Sequence, residues 1–75
     1  MKEKTALHFE SRGVTGNIFW ILGKVRDIMR KERRIIEYND MWEEVQKSGS
    51  YEEALQIIGE HVHLIDDDTE KEWGR

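Results

Sequence analysis

The chain has 75 residues and a formal net charge of -4, with hydrophobic and charged residues each making up 37% of it. That length holds one small domain, in which only about 60% of the surface exposed by the unfolded chain becomes buried, so no second catalytic lobe is expected. Without cysteine there is no disulfide framework, no thiolate metal site and no cysteine nucleophile. The longest apolar run, Ile18 to Leu22, is far too short to cross a bilayer. The opening MKEKTALHFE lacks the apolar stretch of a signal peptide, so a cytoplasmic, membrane-free protein is expected. The small net charge hides an asymmetry. Residues 1–36 hold nine Lys/Arg and four Asp/Glu, whereas residues 37–75 hold three and twelve, a basic half of +5 followed by an acidic half of -9. Such halves either match one another or serve separate partners.

In chain order, Lys4 to Glu10 alternates as a short strand does, with Thr5, Leu7 and Phe9 on one face. Residues 11–16 (SRGVTG) form a loop that delivers a helix cap at Thr15 or Asn17. From Asn17 to about Lys31, the apolar residues Ile18, Ile21, Leu22, Val25, Ile28 and Met29 recur at helical spacing, which predicts an amphipathic helix. A second helix is expected over Ile35 to Lys47 with Tyr38, Met41, Trp42 and Val45 on one stripe, and Asn39 or Asp40 as an alternative late cap. Gly49 suits a left-handed position after it. Ser50-Tyr51-Glu52-Glu53 matches a capping box, in which the Ser50 hydroxyl accepts from the Glu53 amide and the Glu53 carboxylate reaches back to the Ser50 amide. The third helix then starts at Tyr51 and turns Ala54, Leu55, Ile58 and Val62 inward. Val62 and Leu64, alternating with His61 and His63, read as a closing strand able to pair with the first. The fold class is mainly α with minor β: one three-helix domain over residues 1–65, with short terminal strands and an acidic tail over residues 66–75 too polar to bury.

Two stretches, GNIFWILGKV (Gly16 to Val25) and SGSYEEALQIIGEHV (Ser48 to Val62), together one third of the chain, resemble a family of small uncharacterised proteins from phages and prophages of Gram-positive bacteria. The resemblance rests on a glycine-Asn-x-Phe helix start and a Ser-Gly-x-Tyr capped last helix. It implies a fold and a genetic context, and it transfers no catalytic residue. The Arg-rich end of the first helix and the longer acidic tail depart from that pattern.

Candidate chemistry lies on the surface. At about 100° per residue from Ile18, Trp20 falls at about 200°, opposite the apolar stripe and beside Gly23 and Lys24. A glycine inside a helix costs about 1 kcal/mol relative to alanine, so an approaching backbone or large side chain is expected at Gly23. Trp20 beside it could anchor an interface, although burial under the N-terminal strand is favoured over a homodimer seam or a foreign partner. Arg26, Arg30 and Arg33 recur at i, i+4, i+7 and form a cationic flank next to Phe19. Guanidinium forks grip phosphates or carboxylates. With a pI of about 5.3, however, pairing with the chain's own acidic helices, or a solvated face, is preferred to nucleic-acid contact. His61 and His63 share a strand side, and antiparallel pairing would bring His8 near, but solvated histidines are preferred to a metal site. Asp66, Asp68 and Glu70 alternate like calcium ligands, yet Lys71 stands where the loop requires glycine. No nucleophile elbow, P-loop or dinucleotide fingerprint occurs, so no enzyme, cofactor or metal is expected.

The expected function is a non-catalytic phage or prophage binding protein that occupies or inhibits a bacterial host protein. Glu43, Glu44, Glu52, Glu53, Asp66, Asp67 and Asp68 would face a basic partner, and Trp20 and Gly23 would serve an interface. The alternatives are a nucleic-acid-binding regulator using Arg26, Arg30 and Arg33, and a structural module that self-associates as a homodimer.

Overall fold

The computed structural model describes residues 5–74. Strand β1 (Ala6–Phe9) leads through a 3-10 turn (Val14–Gly16) into α1 (Ile18–Lys31), α2 (Ile35–Lys47) and α3 (Tyr51–Gly59), followed by β2 (His63–Asp66) and β3 (Glu72–Trp73). The protein is therefore mainly α with a small sheet in which the N-terminal and C-terminal strands pair. Lys4, the expected start of the first strand, lies outside the described residues.

The helix boundaries follow local chemistry. Asn17 has an extended backbone, and its Oδ1 accepts from the Phe19 amide at 2.7 Å, so Asn17 rather than Thr15 is the α1 cap. At the other end, Arg34 N–H donates to Met29 O and Arg33 N–H to Arg30 O. This is a Schellman closure with Arg33 in the left-handed position usually given to glycine, at φ 60°. Helix α2 then begins directly from Arg34, without a side-chain cap, and Asn39 and Asp40 lie inside it. Gly49 is not left-handed, because α2 ends on an extended Ser48 (φ -68°, ψ 149°) that leads straight into the next helix start. The Ser50 hydroxyl accepts from the Glu53 amide at 3.1 Å, as expected. The returning Glu53 carboxylate takes the Gly49 amide at 2.8 Å, one residue earlier than in a standard capping box.

The sheet order is β1-β2-β3. Strand β1 runs parallel to β2, with Leu7 opposite Leu64 and Phe9 opposite Asp66, not antiparallel as the histidine reading required. Parallel strands need a long crossover, which the three helices supply. Strand β3 pairs antiparallel with β2, with Leu64 opposite Trp73. Residues 66–74, expected as a tail too polar to bury, instead fold back: Asp66 is 4% exposed and Trp73 is 8% exposed. Arg75 lies outside the described residues. The apolar inner face of the sheet (Phe9, Leu64, Trp73) closes on Ile21, Leu22, Val25 and Met29 of α1, Met41 and Val45 of α2, and Leu55 and Ile58 of α3. Gly59 permits the contact of α3 with β3, since a Cβ there would meet Trp73 and the Gly74 backbone at 3.0 Å.

Candidate functional site

The start of α1, the end of α2 and the start of α3 leave a groove between them of about 430 Å³, walled by Ile18, Phe19, Leu22, Trp42, Tyr51 and Ala54. Helical periodicity produces it: Leu22 and Ala54 belong to core stripes and form the floor, while Phe19, one step off the α1 stripe, stands at the mouth and is 72% exposed. The Tyr51 hydroxyl donates to Gly16 O and ties the head of α3 to the turn before α1. Glu53 borders the groove through its bond to Gly49, and Glu43 and Glu52 are exposed on the same two helices. An exposed aromatic ring over an apolar floor with the Glu53 carboxylate at its edge is suited to receive an apolar side chain beside a cation.

The remaining sequence candidates divide. Trp20 is half-buried against the edge of the core, with the Lys24 ammonium 5.6 Å from its ring centroid. Gly23 has open space where a Cβ would stand, so nothing among the described residues approaches it. Arg26 and Arg30 are exposed on α1. Arg33, expected on that helix, sits beyond its end in the turn to α2, so the three-residue stripe is broken. None of the three enters an ion pair among the described residues; of the two accounts expected, pairing with the chain's own acidic helices or a solvated face, their exposure matches the second.

Asp66 is buried and does not face a partner. Its Oδ1 accepts from the Ser11 amide at 3.1 Å and the Asp68 amide at 3.0 Å, and its Oδ2 accepts from the Thr69 hydroxyl at 2.7 Å. Burial alone would push its carboxyl up, but these donors hold it down at about 2. Asp68 accepts from the Arg12 amide at 2.7 Å, and Asp67 Oδ1 lies 2.9 Å from His8 Nδ1. The spacing that resembled a calcium loop is therefore a clasp between the loops after β1 and β2. Glu43, Glu44, Glu52 and Glu53 remain exposed on α2 and α3.

Each histidine meets its own carboxylate. His8 faces Asp67, His63 Nε2 lies 2.9 Å from Glu72 Oε1, and His61 Nδ1 lies 2.6 Å from Glu37 Oε2. The three do not converge, because the strands run parallel and His61 precedes β2. Around His61 the structure builds a cluster that sequence reading missed. Arg34 clamps Glu37 through two nitrogens at 2.6 and 3.2 Å, reaches Glu32 at 2.7 Å and donates to the His61 carbonyl at 3.0 Å. Hydrogen bonds from Arg34 and then His61 hold the Glu37 carboxyl down at about 2. An ionised carboxylate only accepts, so His61 Nδ1 carries the proton and Nε2 is the lone-pair nitrogen of the neutral ring. The Arg34–Glu37 spacing of three residues was a local signal of this pair. Its link to His61, 24 residues away, had none.

Among the described residues, no helix is long and apolar enough to cross a membrane. Compared with known proteins, the chain matches no family model, no curated protein and no solved structure.

Proposed function

We infer that this chain is a non-catalytic binding protein, of the phage or prophage type its sequence resembles, that occupies a bacterial host protein. The observation that carries the reading is the apolar groove with Phe19 exposed at its mouth. An isolated small domain has reason to bury such a ring, and its exposure beside an open apolar floor fits an aromatic anchor at an interface. Glu53 puts a carboxylate at the groove's edge through its bond to Gly49, and Glu43 and Glu52 are exposed elsewhere on α2 and α3; this acidic surface would speed association with a basic partner and make it sensitive to salt. Asp66 drops out of the partner surface because its oxygens are engaged inside the fold.

The chain immobilised against a Gram-positive host lysate at low salt should retain one stoichiometric partner. That partner should be released by added salt and lost with Phe19→Ser. Absence of a stoichiometric partner, or retention undiminished by Phe19→Ser, would overturn the reading.

Nucleic-acid binding remains the second reading, supported by the exposure of Arg26 and Arg30 without ion pairs among the described residues. A gel shift that weakens steeply with salt and is abolished by replacing both arginines would favour it over the first.

A further inference from the structure

Glu44 of α2 and Glu60 and His61 after α3 each offer one ligand-capable atom, and these atoms lie within 4.8 Å of one another. We propose that they form a site for a divalent transition ion, with zinc as the reference metal, bound by the His61 imidazole and the two carboxylates and completed by water.

Three features of the structure support this assignment. Glu44 and Glu60 enter no ion pair among the described residues, so neither carboxylate is committed to a cation of the fold and both can turn to a metal ion. The imidazole is also oriented. Glu37 occupies His61 Nδ1 at 2.6 Å, leaving Nε2 to coordinate, and Arg34 fixes Glu37 in turn while bonding the His61 carbonyl. A carboxylate on the far nitrogen of a metal-binding histidine sets its tautomer and raises its donor strength. The third feature is geometric. Tetrahedral zinc places its ligand atoms about 3.3 Å apart, a closure that rotation of the exposed Glu44 and Glu60 side chains supplies. One imidazole with two carboxylates favours a transition ion over magnesium or calcium, which prefer oxygen alone.

The site is distinct from the groove. Glu37 and Glu44 are seven residues apart and so share one stripe of α2, whereas Trp42 and Val45 line the groove. An ion here would tie α2 to the turn that ends α3 and hold the two elements that also wall the groove.

The test uses the full chain, purified without a polyhistidine tag and titrated with zinc chloride by calorimetry and by amide and imidazole NMR. The expected result is saturable binding of one ion, with resonance changes centred on Glu44, Glu60 and His61 and on the imidazole Nε2, and a higher melting temperature. Glu44→Gln with Glu60→Gln should weaken binding by about tenfold or more while leaving the metal-free circular dichroism unchanged, since both side chains are exposed. His63→Gln should bind as the wild type does. No saturable binding, an affinity unchanged in the double variant, shifts centred on His8 or His63, or displacement of zinc by excess magnesium would each overturn the assignment.

Discussion

A carboxylate at Asp66 that is only 4% exposed stays ionised because it accepts from Ser11, Asp68 and Thr69. Burial raises its proton affinity and the donors lower it, and the donors win, at about 2 against an ordinary 3.8. A carboxyl depressed by folding contributes stability that is complete above its ordinary value and is lost as pH falls through the folded one. Glu37, also held at about 2, acts in the same direction. Acid unfolding followed by circular dichroism should therefore develop between about pH 4 and pH 2. Asp66→Asn should cost about 2 kcal/mol at neutral pH in urea unfolding and flatten the acid transition; an unchanged acid midpoint would count against the clasp. Gly23 poses the opposite case. With open space at its Cβ position, Gly23→Ala should stabilise the isolated chain by about 0.5 to 1 kcal/mol through helix propensity, read as a raised melting temperature. A stabilised variant that has also lost its partner would place Gly23 in an interface.

Element boundaries here are mostly local chemistry, and their exceptions identify where strain is held. Asn17 and Ser50 cap α1 and α3 through side-chain oxygens that any reading of the chain can find. The α1–α2 turn needs one left-handed residue, and the chain places Arg33 there at φ 60°. An L side chain in that region costs roughly 1 to 2 kcal/mol, against roughly 0.5 to 1 kcal/mol of extra backbone entropy lost by glycine. Arg33→Gly should therefore raise unfolding stability modestly, by up to about 1 kcal/mol. Its side chain enters no ion pair among the described residues that would offset this. A destabilised Arg33→Gly would mean that the guanidinium makes a contribution of its own. The glycine expected to be left-handed, Gly49, is not, because only Gly49 and Ser50 separate Ser48 from α3 and the chain continues extended instead of reversing.

For the whole molecule, the last strand decides how complete the core is. Residues 66–74 look like a solvated acidic tail by composition, since Trp73 is the sole apolar residue before Gly74. Yet Trp73 is 8% exposed, pairs opposite Leu64, and carries the Lys71 ammonium 4.1 Å from its ring centroid. Truncating a buried tryptophan costs about 3 to 5 kcal/mol, while a domain of this size has about 4 to 11 kcal/mol of stability in all. Trp73→Ala should accordingly lower the thermal midpoint sharply or leave the chain partly unfolded at room temperature. A midpoint within a few degrees of the wild type would show β3 to be dispensable.

Periodicity and caps in the sequence determined the helices: the α1 stripe of Ile21, Leu22, Val25 and Met29, the Ser50 cap and the inward Ala54, Leu55 and Ile58 are all short-range patterns, repeated within a few residues. Strands β1 and β2 could be read from alternation as well, whereas β3 could not. Strand direction could not, because alternation is the same for parallel and antiparallel neighbours and only the path of the intervening helices selects between them. The surface candidates show the same limit. Phe19 and the acidic helix faces were visible as residue types, but the groove that gives Phe19 a meaning needs three helix ends brought together. Glu60 precedes His61 in the chain, but Glu44 and the orienting Glu37 reach that pair only when α3 packs on α2. Asp66 could be counted as one more surface charge until folding brought the Ser11 amide to it from 55 residues away. Local free energies are written in short stretches of chain, whereas the pairing of distant polar groups depends on where packing of the whole core places them.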